Sequence, residues 1–208
     1  MYGEPKRGQR VSEDAPTVPT SPYGETKLAG EWAVKSEARA RAVAGSALSF
    51  VLLRYFNVAG AASPLLGDTS VANLIPLVFR AIAMQQRPKI FGSDYPTADG
   101  TCIRDYIHVV DLADAHLAAV RACDAAGAGS VQTIYNVGTG TGNSVKEVMD
   151  VVSRVVGFDV NPETADRRAG DPALLVAKAD RIQRELGWHA KLSLDHMVES
   201  AWAAWPKS

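Results

Sequence analysis

The chain places a tyrosine and a lysine four residues apart in the segment SPYGETKLAGEW, at Tyr23 and Lys27. On a helix, positions i and i+4 lie on one face with their Cβ atoms about 5 to 6 Å apart. A tyrosine acts as a base only when it loses its phenol proton, and a nearby ammonium group favours the ionised form. The pair therefore has the residue types of an acid/base catalyst and its electrostatic partner.

The same spacing also has a plain structural interpretation. Tyr-x-x-x-Lys arises often by chance, and most instances are a surface lysine that lies over an aromatic ring. A free tyrosine has a pKa of about 10. A cation about 4 Å away contributes on the order of 4 kcal/mol at an effective dielectric of about 20, which is enough to make a phenolate accessible. The spacing alone leaves both interpretations open, so the surrounding elements must decide.

The elements around the pair predict how it is positioned. Ser21 is a suitable N-cap followed by a proline, and good helix formers continue to about Ala44 before Gly45 ends the helix. The following run LSFVLLRYF is almost continuously apolar, which predicts a parallel strand covered on both faces. Asn57 then falls at the carboxyl end of that strand, where open α/β sheets bind ligands.

The rest of the chain alternates between strand and helix patterns, which predicts an α/β fold with a mostly parallel sheet. Residues 1–20 predict an extended loop, and ETADRRAGDPA predicts a charged loop. Strands are predicted in KIFG, TCIRDYIHV and TIYNVG. Helices are predicted in VANLIPLVFRAIAMQ, VDLADAHLAAVRACDAA, SVKEVMDVVSRVVG, KADRIQRELGW and LSLDHMVESAWAAW.

Composition excludes several classes of function. The 208 residues are 47% hydrophobic and carry a net charge of -1 without charged blocks, so nothing favours nucleic acid or an anionic membrane as partner. No apolar run reaches the roughly 18 residues that span a bilayer, and MYGEPKRGQR lacks the apolar part of a signal peptide. Cys102 and Cys123 are predicted to be buried or half-buried thiols. The spacing of the histidines does not match that of metal ligands. We predict a cytoplasmic protein without a metal site.

A glycine-rich segment, GTGTGNS, begins at Gly138 where a dinucleotide-binding loop belongs, after a strand and before a helix. The spacing does not match G-x-G-x-x-G, because the sixth position is Asn143. We predict instead a flexible turn in which Ser144 caps the next helix and Glu147 completes a capping box.

Several segments together resemble the UDP-glucose 4-epimerase (UDP-galactose 4-epimerase) family of the extended short-chain dehydrogenase/reductases. They are SPYGETKL, LRYFNVAGA, ANLIP, IFGSDYPTADGTCIRDYIHVVDLADAH, YNVGTGTGNS and RRAGDPA, and they cover essentially the whole chain. The resemblance implies a partial Rossmann-like sheet with a smaller α/β substrate-binding region. Residues 1–57 would belong to the NAD-binding part and residues 58–208 mainly to the UDP-sugar-binding part, with about 107–140 returning to the Rossmann sheet.

The resemblance also implies an activity. UDP-glucose and UDP-galactose would be interconverted through a 4-keto intermediate in galactose metabolism, with NAD as cofactor, a UDP-hexose as partner and a homodimer as the complete protein. Tyr23 would remove the proton of the sugar's 4-hydroxyl, and Lys27 would hold the nicotinamide ribose. The residues of the cofactor site would be Tyr23, Lys27, Tyr55 and Phe56.

The substrate site implied by the resemblance has eight positions. Phe91 would lie against the uracil, Arg104 and Arg168 would bind the diphosphate, and Asp171 would accept from the ribose. Leu175 would face the sugar, and its intermediate size would admit UDP-N-acetyl sugars. The remaining substrate positions are Asn57, Asn73 and Leu74, with Arg167 and Tyr106 as secondary candidates; for His108 we predict a hydrogen-bonded core role.

The sequence departs from the family at its amino end. The family has a glycine-rich phosphate loop there and a catalytic Ser or Thr just before a Tyr-Gly, which is Tyr2-Gly3 here. We therefore expect a carboxyl-terminal portion that exposes a sheet edge and apolar surface, binds NAD poorly and has negligible activity alone. Two alternatives stay open: another nucleotide-sugar epimerase or dehydratase of the superfamily, and a non-catalytic UDP-sugar-binding or interaction module.

Overall fold

The computed structural model describes residues 1–3, 8–127, 129, 131–168 and 170–206. Its helices are α1 (Pro22–Val43), α2 (Leu74–Ala83), α3 (Val109–Ala126), α4 (Val145–Val156), α5 (Asp180–Leu186) and α6 (Leu194–Ala204). Its strands are β1 (Phe50–Tyr55), β2 (Asn57–Ala59), β3 (Lys89–Phe91), β4 (Ile103–His108), β5 (Gln132–Val137), β6 (Gly142–Ser144), β7 (Glu163–Ala165) and β8 (Leu174–Leu175). Every helix predicted from the sequence is present.

Most strand pairs are parallel. β1 pairs with β5 from Phe50↔Gln132 to Tyr55↔Val137, and β4 pairs with β2 and with β8. β3 pairs with β7 in the same sense, whereas β4 and β6 are antiparallel. The predicted α/β fold with a largely parallel arrangement is confirmed. Because only Phe56 separates β1 from β2, the pairing of β1 with β5 and of β2 with β4 brings β4 and β5, which are distant in sequence, to neighbouring positions.

Two predictions about the strands are wrong. The charged loop contains β7, whose partner β3 lies more than 70 residues earlier, so no local pattern marks it. β1 is not covered on both faces, because only Arg54 of its six residues is buried. Among the described residues β5 is its one strand partner, and the opposite edge is open. The expectation of an exposed sheet edge is therefore confirmed for this part of the chain.

Two apolar clusters form the core. The first lies where α2, α4 and α6 pack together over β4, and it includes the fully buried Phe79, Met149 and Met197. The second lies between β4, β5, α3 and α5, around Ile107 and Ile182. Full burial of each such side chain contributes about 1.5–3 kcal/mol relative to exposure. The clusters hold β4 and α2 firmly, and these two elements carry walls of the candidate site.

Helix ends follow the predicted caps. The Ser21 side chain accepts from the Gly24 N–H at 3.2 Å at the start of α1. At the start of α4, Ser144 and Glu147 form the predicted capping box. None of the described helices combines the length and apolar character needed to cross a bilayer.

The glycine-rich segment is not a flexible turn, because it wraps around the buried carboxylate of Asp105. That carboxylate accepts from the backbone N–H groups of Thr139 (2.8 Å), Gly140 (3.0 Å) and Ala177 (3.1 Å). Burial raises the pKa of Asp105, and these donors oppose the rise. A Cβ atom at Gly138 would lie 2.5 Å from Asp105 Oδ2. The glycines therefore allow the loop to close around an internal carboxyl group rather than a phosphate.

His108 caps α3 from the end of β4, which confirms its predicted core role. Its Nδ1 accepts from the Val110 N–H at 3.1 Å, and its Nε2 lies 3.0 Å from Ser200 Oγ. Because Nδ1 is an acceptor, the ring is neutral and Nε2 carries the proton. Burial lowers the pKa of His108.

The capped imidazole predicts an acid-sensitive contribution to stability. A lowered pKa in the folded state means that this contribution is complete above about pH 6.5, the unfolded value, and is lost as the pH falls. His108→Asn keeps an acceptor for Val110 but cannot protonate, so we expect a smaller loss of unfolding free energy on acidification. Urea unfolding at pH 7.5 and 5.5 measures this loss. If the unfolding free energy of the variant fell between the two pH values by as much as that of the parent chain, the prediction would be contradicted.

Candidate active site

Two adjoining cavities contain all the principal residues predicted to bind or act on ligands, and of the two secondary candidates they contain Tyr106 but not Arg167. The arginine cavity, of about 530 Å³, is lined by Leu74, Phe91, Arg104, Arg168 and Asp171. The tyrosine cavity, of about 1000 Å³, is lined by Tyr23, Lys27, Tyr55, Phe56 and Leu175. Asn57 and Asn73 line both, so these two amides mark the passage between them.

The arginine cavity has a strong excess of positive charge. Five basic side chains and one acidic side chain line it: Arg80, Arg87, Lys89, Arg104, Arg168 and Asp171. The Asp171 carboxylate accepts from Arg104 Nη2 at 2.5 Å, and the Arg168 guanidinium carbon lies 3.9 Å from the centre of the Phe91 ring. The cavity therefore favours an anionic ligand, for which these two arginines are ready donors.

The first turn of α2 adds to this positive character. Asn73 is its N-cap residue but makes no side-chain capping hydrogen bond; its Nδ2 instead donates to Asp68 Oδ2 at 3.3 Å. Asn73, Leu74 and Leu77 all line the arginine cavity. The amino end of a helix carries partial positive charge, so it favours an anion in this position.

Sequence reasoning missed part of the cavity wall. Arg80 on α2 and Met84 at its C-cap follow Leu77 at helical spacing and line the same cavity, so the spacing was a usable signal. Cys102 also lines it, and burial raises the pKa of its thiol.

Tyr106, a secondary candidate, is a buried wall residue. Arg167, the other one, instead lies with its guanidinium 4.2 Å from the Tyr95 ring centre.

The tyrosine cavity opens beside the first turns of α1. Tyr23 is 69% exposed, and Lys27 Nζ lies 5.2 Å from the centre of its ring. The lysine thus lies over the aromatic ring, and both groups face the same concave surface. The geometry leaves the phenol open to a ligand and holds an ammonium group beside it.

The floor of this cavity is β1 and the residues after it. Val51, Leu52 and Leu53 contribute apolar surface, and Tyr2 stacks on Phe56 with 6.4 Å between ring centres. Lys27 is the only lysine or arginine described in this lining without a salt bridge, because Arg54 is bound by Glu31. The described part of the chain shows no cluster of three or more His, Cys, Asp or Glu arranged to hold a metal ion.

Residues 1–138 match the model of the NAD dependent epimerase/dehydratase family. The chain belongs to this family. Its similarity extends to proteins named UDP-glucose 4-epimerase, at 47% identity in Azospirillum brasilense and 44% in Halalkalibacterium halodurans. These alignments cover 100% and 97% of this chain and 58% and 59% of the relatives. The chain therefore spans about three fifths of their length.

A solved structure agrees with this assignment. The UDP-glucose-4-epimerase of Stenotrophomonas maltophila, with bound NAD and formylated UDP-arabinopyranose, is 36% identical and superposes with a TM-score of 0.87. The superposition covers 98% of this chain and 60% of that one. The predicted family and the Rossmann-like α/β fold are confirmed, and NAD is the cofactor of this epimerase family.

Proposed function

We propose that this chain supplies the UDP-hexose site and the acid/base pair of an NAD-dependent UDP-glucose 4-epimerase. The observation that carries the proposal is the pair of adjoining cavities, one rich in arginine and lysine and the other holding Tyr23 and Lys27, joined at Asn57 and Asn73. A nucleotide sugar likewise has an anionic diphosphate next to a neutral sugar ring. Its nucleotide diphosphate would lie in the arginine cavity and its sugar in the tyrosine cavity.

The nucleotide end fits the arginine cavity by charge and shape. Arg104 and Arg168 would donate to the diphosphate, because guanidinium groups pair with phosphate oxygens through parallel hydrogen bonds. Phe91 offers a half-buried ring for the uracil after Arg168 moves from its face. Asp171, released from Arg104 by the phosphate, would accept from the ribose.

The hexose end would lie between Leu175 and Tyr23 in the tyrosine cavity. Tyr23 would accept the proton of the 4-hydroxyl and return it after the ring has turned, while the Lys27 ammonium favours the phenolate. Leu175 is half-buried on this wall, which supports room for an N-acetyl group at the neighbouring carbon. UDP-N-acetyl sugars are thus proposed as further substrates.

The described residues fit the nicotinamide end of NAD. Lys27 offers an ammonium donor for a ribose, and Tyr55 and Phe56 offer an aromatic wall at the end of β1. When bound there, NAD would supply the acceptor for the hydride of the sugar's C4. Tyr23 would hold the accompanying proton, and β1 would form the floor of the cavity beneath the reacting groups.

A non-catalytic UDP-sugar-binding module is the second candidate. It is favoured by one observation: no residue of β1 lines the arginine cavity, whereas β1, which has an unpaired edge among the described residues, forms the floor of the tyrosine cavity. Another nucleotide-sugar epimerase or dehydratase of the same superfamily remains an alternative for catalysis. For the complete protein, we propose a cytoplasmic homodimer that acts in galactose metabolism.

Calorimetric titration of the 208-residue chain with UDP and with ADP tests the proposal. Binding of UDP with at least about tenfold preference over ADP, equivalent to about 1.4 kcal/mol, is expected because the arginine cavity would recognise the base as well as the diphosphate. Equal affinity for both nucleotides would indicate a general anion site. If the folded chain bound neither UDP nor ADP, both candidate functions would be refuted.

A further inference from the structure

The helix that carries Tyr23 and Lys27 has few anchors. Only four residues of α1 are buried, and they form one stripe along the helix: Gly24, Leu28, Glu31 and Ala38. Within the described part of the chain, the side-chain hydrogen bonds from α1 to another helix or strand are those of Glu31. A charged residue thus occupies the centre of the stripe, where an apolar residue would ordinarily pack.

Glu31 forms a bidentate ion pair with Arg54 of β1. Arg54 Nε donates to Glu31 Oε1 at 2.6 Å and Nη2 donates to Oε2 at 2.7 Å, with both side chains less than a tenth exposed. Burial opposes the ionisation of Glu31, but the hydrogen bonds and charge of Arg54 outweigh it and hold the pKa of Glu31 below its usual range. The remaining face of the guanidinium is also engaged.

The pair belongs to a network that joins four parts of the chain. Arg54 Nη1 donates to the Tyr2 hydroxyl at 2.9 Å and to the Glu13 carbonyl at 3.1 Å. Tyr2 in turn donates to Asn136 Oδ1 on β5 at 2.6 Å. Arg54 therefore has fixed partners on the amino-terminal segment as well as on α1, and its orientation is set independently of the helix.

Stability alone does not account for a buried ion pair at this place. Removal of two charges from water costs several kcal/mol per ion, and apolar residues of similar volume are often equally stabilising or more so. The bidentate geometry instead fixes orientation, since a carboxylate and a guanidinium must be coplanar to form both bonds. Glu31 is four residues after Lys27 and eight after Tyr23, on the side of α1 that lines the tyrosine cavity.

We infer that Glu31 and Arg54 are positioning residues, which fix the rotation and depth of α1 against β1 so that Tyr23 and Lys27 face the cavity. The inference rests on the proposed function for its catalytic meaning. Its structural content, that the pair orders α1 without being needed for global stability, is separate and can be measured without cofactor or substrate.

Hydrogen-exchange mass spectrometry of the chain, combined with urea unfolding, provides the test. In Glu31→Leu/Arg54→Met we expect exchange of residues 22–31 to rise about tenfold or more, with exchange in α4 and the unfolding midpoint unchanged. Arg54→Lys keeps the positive charge but cannot form the two parallel hydrogen bonds, so we expect an intermediate rise in the exchange of residues 22–31. Glu37→Gln removes the exposed ion pair with Arg41 on the same helix and is the matched control.

Three results would overturn the inference. They are unchanged exchange of residues 22–31 in the double variant, a uniform rise across α1, α4 and α6, and failure of the double variant to fold. The last two would assign the pair to global stability. UDP affinity is expected to be the same in all variants, because neither residue lines the arginine cavity. If the unmodified chain did not bind UDP, the proposed function would be refuted, but the exchange measurements would still test the role of the ion pair in ordering α1.

Discussion

Replacement of Arg104 by methionine is expected to weaken UDP binding by about 10- to 100-fold, since hydrogen bonds to charged groups contribute about 1.5–3 kcal/mol. Arg104 is buried at the wall of the arginine cavity, and its Nη2 is held by a single carboxylate, that of Asp171. A phosphate in the cavity can replace that carboxylate. Methionine keeps much of the side-chain volume, so the variant removes the charge and its donors with little change in packing.

Arg154→Met is the matched control for this substitution. Arg154 makes an ion pair with Asp195 of the same 2.5 Å length, but both side chains are exposed and neither lines the arginine cavity or the tyrosine cavity. Calorimetry with UDP should show near-parent affinity for this variant. Equal weakening in both variants would show that the effect of Arg104 comes from net charge rather than from a specific contact. Unchanged affinity in Arg104→Met would show that Arg104 does not bind the diphosphate.

The parts of the fold that could be predicted are those whose signals are local. Ser21 before a proline marks the start of α1, and Ser144 with Glu147 marks the start of α4; in each case the residues that decide the structure are within one helical turn. The strand β7 could not be predicted, because three residues acquire a strand conformation only by pairing with β3. Strand pairs over such distances depend on the whole fold.

The candidate site shows the same division. The family motifs located Arg104 and Asp171, but their mutual ion pair joins positions 67 residues apart and has no trace in either motif. Glu31 was missed because a glutamate in a helix of mixed polarity has the composition of a solvated face, and its burial depends on Arg54 in the next strand. The glycine-rich segment could be excluded as a nucleotide loop by spacing, yet the buried carboxyl group that it surrounds, that of Asp105, emerges only from the structure.

The 208-residue chain, purified alone, is expected to carry far less than one NAD(H) per chain and to give no turnover of UDP-galactose above background. Dinucleotides are normally held by backbone N–H groups of a glycine-rich loop at a helix amino end. In the described lining of the tyrosine cavity, Lys27 is the one lysine or arginine free of a carboxylate, and the glycine-rich loop of this chain is closed around Asp105. The pyrophosphate of NAD would therefore have few partners.

Absorbance of the supernatant after denaturation measures bound NAD(H), and a coupled assay with added NAD measures turnover. UDP binding by the same preparation is the control that the chain is folded, because the arginine cavity does not depend on the cofactor. Stoichiometric NAD(H) together with turnover would contradict the expectation and would show that Lys27, Tyr55 and Phe56 suffice to hold the cofactor. UDP binding without NAD would separate the two cavities by experiment, since the nucleotide site would then be complete within this chain while the acid/base pair lacked its hydride acceptor.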